Sequence, residues 1–249
     1  LKTLEFPKSR FYYKKGAPKD LIFFIGEEQP TDGRRFYAEG AKAFKMANLV
    51  LDVALKFGCK RIYTSGAAVA LIHHTIQPKI WAVPNFDYLI CEVKKHWNTI
   101  LMSEIEGRGG QGNITGLNGL LLGVAKKRGI EGICVMGEIP IYLQRLPMTY
   151  PKASKSVLEM LTTSLGLNVD LSYFDALSQD MEKKIESFYE QIPIEIKDQL
   201  DKLKYDSYTH DTDSISTTEE DREMILEKLM IDIEKSLRKG DEEDSERAF

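Results

Sequence analysis

The chain has 249 residues, 43% of them apolar and 29% charged, enough to bury a substantial core as one large domain or as one domain with an appendage. No apolar run reaches the roughly 18 residues that would span a bilayer, and no charged, apolar, small-residue leader is evident, so a soluble cytoplasmic protein is expected. The net charge of −4 hides a division: residues 1–174 carry 23 Lys and Arg against 15 Asp and Glu, whereas residues 175–249 carry 11 against 23. The acidic end is either a solvated appendage or a segment that docks on a basic face of a neighbouring subunit. Nucleic acid is not an expected partner, because the positive charge is spread out and is not joined to interleaved aromatics or a binding motif.

Taken in chain order, Leu21 to Ile25 is predicted as a buried strand and Phe36 to Phe57 as an amphipathic helix closed by Gly58. Arg61 to Thr64 is predicted as a second strand running into Ser65-Gly66-Ala67-Ala68. Ser65 imitates a nucleophile after a strand, with His73 or His74 as base, but lacks the glycine two residues earlier that a sharp elbow requires, so a plain strand-end turn is expected. His73 and His74 are adjacent, should point apart on one element and have no third ligand at a suitable spacing; loop or surface histidines and no metal site are expected. Ile80 to Val83 follows as a strand before Pro84, then Phe86 to Lys95 as a helix and Thr99 to Ile105 as a further strand. Such alternation favours a mainly parallel sheet covered by helices. Cys59, Cys91 and Cys134 are well separated and set in apolar segments, which reads as three reduced core residues without a CxxC pair.

Gly107 to Gly112 matches GxGxxG, with Glu131 downstream, as a dinucleotide site would have. Asn113 to Thr115 intervene before the helix and the next strand arrives too early, which favours a surface loop or a subunit contact and no cofactor. A helix is predicted from Gly116 to Arg128, with Asn113 or Thr115 as its cap and Gly129 as its stop after Lys126-Lys127-Arg128. Gly116, Gly119 and Gly123 recur at spacings of three and four and read as a close-packing face. Gly132 to Met136 is predicted as a buried strand with Gly137-Glu138 at its carboxyl end, where open α/β sheets bind ligands. Glu138 is therefore the acid to watch, and Pro151 opens a helix through about Leu165. A small-molecule or nucleotide-binding enzyme would use that edge, built from Ser65, Gly66, Ala67, Ala68, the 107–119 loop and Glu138.

Three segments carry a family resemblance: Gly112-Asn113-Ile114-Thr115-Gly116-Leu117-Asn118-Gly119-Leu120-Leu121-Leu122-Gly123, then Gly132-Ile133-Cys134-Val135-Met136-Gly137-Glu138-Ile139-Pro140, then Tyr150-Pro151-Lys152-Ala153-Ser154. In this order they resemble the proteasome-assembling chaperone type-two family, in particular its archaeal and bacterial members. The resemblance implies an α/β domain related in shape to nucleoside phosphorylases, with helices on both faces of the sheet, no established catalytic residues, and homo-oligomers that bind proteasome subunits or related protein clients. It also implies, for members that activate archaeal proteasomes, a terminal hydrophobic residue, tyrosine and any residue; Arg247-Ala248-Phe249 departs from that pattern.

Beyond the core domain, expected over 1–174, the pattern changes. Residues 175–204 form a helical extension, with Tyr173 to Gln191 helical, Pro193 interrupting and Ile194 to Leu203 resuming. Residues 205–218 read as a linker rich in turn formers. Residues 219–240 are predicted as a last helix, capped by Thr217 and Glu220, with Leu226, Leu229, Met230, Ile233 and Leu237 as an apolar stripe that packs on its own domain or on a partner. An acidic tail, 241–249, completes the chain.

Overall fold

The structure, a computed structural model, describes residues 9–16, 18–26, 40–105, 114–143, 148–190 and 194–204. The 107–113 loop with Gly112 and Asn113, and everything from the 205–218 linker to the stripe at Leu226, Leu229, Met230, Ile233 and Leu237, lie outside those residues. The chain divides into two compact units: Leu1–Gly66, Lys79–Gly137 and Ser156–Val169 form the first, and Ala67–Pro78, Glu138–Lys155 and Asp170–Phe249 the second.

Two strands, β1 (Ser9–Lys14) and β2 (Leu21–Gly26), pair antiparallel as a ribbon, with Phe11 opposite Phe24 and Tyr12 opposite Phe23. The second of these is the strand expected to be buried, and it is not: Phe23 is 48% exposed and Ile25 57%. Its continuous apolar run hides a two-faced environment, since Phe24 turns into the core while Phe23 and Ile25 turn away from it. Helix α1 (Gly40–Lys56) follows; the proposed start at Phe36 lies outside the described residues.

A four-stranded sheet has the order β3 (Arg61–Ala70), β6 (Glu131–Pro140), β4 (Ile80–Pro84), β5 (Thr99–Leu101). Strand β4 runs parallel to β5 but antiparallel to β6, so the sheet is mixed where mainly parallel pairing was expected. Burial on both faces makes Ile80-Trp81-Ala82 and Gly132 to Val135 read as continuous apolar runs, and such runs report coverage, not strand direction. On one face, Ile80, Ala82, Ile133 and Val135 pack with Leu89, Val93, Val157 and Met160. On the other, Ile62 meets Ala47, Val50 and Leu51 of α1 and Leu121, Val124 and Ala125 of α3 (Gly116–Lys127).

Several boundaries move. The expected helix from Phe86 is a 3₁₀ turn, Asp87–Leu89, followed by the single turn α2 (Ile90–Val93). The expected strand to Ile105 ends at Leu101 and passes into a 3₁₀ turn, Met102–Glu104. Thr115 occupies the cap position of α3 without a side-chain cap hydrogen bond, while Gly129 takes the left-handed φ of 69° that a glycine stop supplies. Helix α4 (Pro151–Leu165) matches its expected span, and α5 (Tyr173–Glu190) and α6 (Ile194–Lys202) follow as the expected helical pair. Of the three cysteines only Cys134 is buried; Cys59 is half-buried and Cys91 exposed, and all three are unbridged.

Candidate functional site

The residues Ile72 to Ile76 form a turn closed by the Ile76 N–H on the His73 carbonyl at 2.9 Å. In a turn, successive side chains are not forced to opposite sides, and the rings of His73 and His74 lie with centroids 4.0 Å apart and planes tilted by 37°. Of the expectation of loop or surface histidines pointing apart, the loop position holds, whereas surface exposure does not: His73 is 1% exposed and His74 5%. Burial drives both imidazoles down to about 4, with the His74 ring and nearby lysines adding to it at His73, and Lys152 and Lys204 adding to it at His74, so both are neutral at pH 7.

Four aromatic or cationic side chains of the second unit hold this pair. The Tyr142 hydroxyl accepts the His74 backbone N–H at 2.7 Å and lies 2.8 Å from His74 Nδ1. The pairing is complete when the hydroxyl gives its own proton to Nδ1, which places the ring proton on Nε2. The Tyr150 hydroxyl and Lys152 Nζ both donate to the His74 carbonyl, each at 3.1 Å. Lys152 is also ion-paired with Glu182 of α5. Tyr189 stands edge-on to both imidazoles, at 5.7 and 5.2 Å, and donates its hydroxyl to Asp201 of α6 at 3.0 Å. His73 Nδ1 receives the Thr75 N–H at 3.3 Å and lies 2.7 Å from the Thr75 hydroxyl, which turns Nε2 toward Asp201. That last gap, 3.6 Å, is too long for a hydrogen bond, and Nε2 has no such partner among the described residues.

The cluster explains two of the sequence segments in physical terms. Tyr150 and Lys152 of Tyr150-Pro151-Lys152-Ala153-Ser154 fasten one carbonyl, and the same residues belong to the entry turn of α4. Glu138 is 1% exposed; the Tyr150 hydroxyl is raised by burial first, then by the charge of Glu182, and last by that of Glu138. Strand β6 continues to Pro140, so Gly137-Glu138 lies within its last four residues and does not follow its end. The partners Tyr142, Tyr150, Lys152 and Tyr189 were not legible as a site, since only Tyr150 and Lys152 share a segment and the other two come from separate elements.

In the first unit, Ser65, Gly66 and Asn118 are brought together. The strand-end turn expected at Ser65 is strand: β3 runs on through Ala70. Asn118 Nδ2 donates to the Ser65 carbonyl at 2.9 Å and lies 3.2 Å from where a Cβ on Gly66 would stand. This satisfies a backbone acceptor on the sheet's outermost strand. On α3, a Cβ on Gly119 would lie 2.1 Å from the Ile114 carbonyl oxygen, a close approach that only glycine permits. Gly123 is different from the expected packing face: a Cβ there meets nothing within 4 Å. Gly116 serves conformation, with a φ of 74° at the start of the helix.

The described residues contain no group of three or more His, Cys, Asp or Glu able to hold a metal ion, and no described helix is long and apolar enough to cross a membrane. The hydrogen bonds of the cluster fix the turn at 72–76 to the start of α4, and hydroxyls lie beside imidazoles at Thr75 and His73, 2.7 Å apart, and at Ser164 and His96, 3.0 Å apart.

This fold, a mixed sheet between helices, is shared with solved structures. One is Pyrococcus furiosus PbaB, described as an archaeal proteasome activator, with 29% identity, a TM-score of 0.62 and coverage of 74% of this chain and 72% of that one. A proteasome-assembly chaperone homologue of Mycobacterium tuberculosis has 17% identity and a TM-score of 0.58 over 75% of this chain and 70% of that one, a likeness of fold alone. An uncharacterized protein of Methanocaldococcus jannaschii is 27% identical over 194 residues, 76% of this chain and 67% of its own length. Residues 3–189 match the PAC2 family, and the chain belongs to it.

Proposed function

We propose that the chain is a non-enzymatic, protein-binding subunit of the cytoplasm that assembles with itself and engages proteasome components as an assembly factor or regulator. One observation carries this reading: the family match over residues 3–189 coincides with 29% identity to a protein described as an archaeal proteasome activator. The buried polar cluster supports it, because the hydrogen bonds of Tyr142, Tyr150 and Lys152 to His74 fix the backbone of a turn.

The test mixes purified full-length chain with 20S proteasome from an archaeal source, measuring peptide hydrolysis and co-migration in size-exclusion chromatography with light scattering. A defined oligomer that co-migrates with the proteasome, or changes its hydrolysis rate, is the expected result. A monomer that neither co-migrates nor alters the rate would overturn the reading. A concentration-dependent rise in melting temperature with a nucleoside or nucleotide would instead favour a small-molecule site.

A further inference from the structure

Strand β1 buries none of its six residues. Among the described strands it pairs with β2 alone, so its other side is an open sheet edge whose backbone N–H and C=O groups lack ladder partners there. Its two faces are comparably open: Phe11 is 42% exposed and Tyr13 56% on one, Tyr12 48% on the other. A partner lying on one face would leave the opposite aromatics in water, whereas a third strand added at the edge flanks side chains of both faces and supplies the missing hydrogen bonds. The ribbon is prepared for such a neighbour. Asp20 holds the connection between its strands by accepting the Tyr13 hydroxyl at 2.6 Å and the Gly16 N–H at 3.1 Å, and a two-stranded ribbon, marginal by itself, gains stability from a third strand.

Charge selects the occupant. Arg10 and Lys14 share the face of Tyr12, Lys15 and Lys19 stand in the connection, and Asp20, the single acid of the described ribbon, is already engaged. A second copy pairing antiparallel along the whole strand about Tyr12 would set Arg10 opposite Lys14 twice, and like charges directly opposite each other destabilise a sheet. Cations on an edge strand thus keep it from joining its own kind. A strand bearing carboxylates four residues apart meets the reverse condition, with one acid opposite Arg10 and the other opposite Lys14.

We propose that the free edge of β1 binds, as a third strand, an extended acidic segment of another protein, with carboxylates facing Arg10 and Lys14 and apolar side chains beside Phe11 and Tyr13. Backbone pairing supplies the contact, and the alternation of acidic and apolar positions supplies selectivity. The edge lies wholly in the first unit and does not depend on the proteasome reading.

The test sets two acetylated, amidated peptides, Thr-Glu-Val-Tyr-Val-Glu-Thr and its counterpart with Lys in place of both Glu, against the full-length parent and full-length Arg10→Glu with Lys14→Glu. Hydrogen exchange by mass spectrometry locates binding, and fluorescence anisotropy of labelled peptide measures it. In the parent, the Glu peptide should slow exchange across 9–14 and leave 131–136 unchanged. It should bind on the order of tenfold more tightly than the Lys peptide, because two cross-strand charge pairs change sign between them. The charge-reversed variant should invert that preference, which a misfolded chain could not do. A shuffled peptide of the same composition, Glu-Glu-Thr-Tyr-Thr-Val-Val, that binds the parent as well as the patterned one would reduce the edge to a non-specific cationic patch and overturn the proposal. Amides of 9–14 that are protected in the free parent and lose protection on dilution would overturn it in favour of a second copy. Unchanged exchange across 9–14 with the Glu peptide at millimolar concentration refutes it outright.

Discussion

The two units bury different kinds of matter. The first is organised mainly by volume: Ile80, Ala82, Ile133 and Val135 interleave with Val157 and Met160, its buried polar groups are amides and hydroxyls such as Asn85, which accepts the Gly132 N–H at 2.8 Å and donates to the Ile130 carbonyl at 3.0 Å, and its half-buried Arg61 bridges Glu131 at 2.7 Å and Glu92. The second buries titratable and hydroxyl groups at its centre, with His73, His74, Tyr142 and Tyr150 among Met181, Ile185 and Leu200. Order in the first rests on fit and fails through a clash or a void. Order in the second rests on hydrogen-bond partners and protonation states, and fails when either changes.

Acid makes the sharpest separation between them. Both histidines protonate at about 4 in the folded chain and at 6.5 in the ordinary state. Between those values the unfolded chain binds more protons, so stability is fully present above pH 6.5 and is lost as pH falls toward 4. The expected loss is on the order of 3 kcal/mol for each histidine. Urea midpoints taken from pH 7.5 to 4.5 should fall, with exchange in 173–190 accelerating before that in 80–84. A flat midpoint across that range would erase the distinction between the units.

Substitution tests each unit by its own rule. Gly119→Ala places a methyl against a backbone carbonyl, which no rotamer change relieves; a loss of about 3 kcal/mol is expected from overpacking and is read from denaturant midpoints. Tyr142→Phe keeps the ring in the second unit's core but strips the acceptor from the His74 N–H and the partner from Nδ1. A loss of about 2 kcal/mol is expected, and the apparent protonation of His74, followed by NMR, should move. If the phenylalanine variant matches the parent in both measurements, the second unit is held by packing like the first.

Much of this architecture was legible in the chain, and the failures share a cause. Helix α4 was placed by Pro151 and its apolar period, and α3 by its glycine stop, because both signals are local. Strand direction was not, since β4 and β6 look alike whichever way they run when both faces are covered. The histidine cluster was invisible because its partners come from four places, the turn at 72–76, Tyr142, the start of α4 and the pair α5–α6. Solvent exposure is not written in either pattern: adjacent histidines suggest surface groups and are buried, while the apolar run of the ribbon strand suggests burial and leaves Phe23 and Ile25 exposed.

The smallest expected effect has the opposite sign and returns to the glycines of α3. Gly123 lies within the helix, is exposed, and leaves room for a Cβ on every side among the described residues. Alanine there removes backbone freedom from the unfolded chain and improves helix propensity, a gain of about 0.7 kcal/mol. Thermal unfolding should shift upward by roughly 2 °C for a chain of this size. Gly119, one turn earlier on the same helix, should respond in the reverse direction, so the two substitutions together separate a glycine required by the fold from one the fold does not use. If Gly123→Ala raises the melting temperature yet weakens self-association in light scattering, the vacant side of α3 is where a second chain's backbone approaches. If it raises stability and leaves association unchanged, that helix face has no part in assembly.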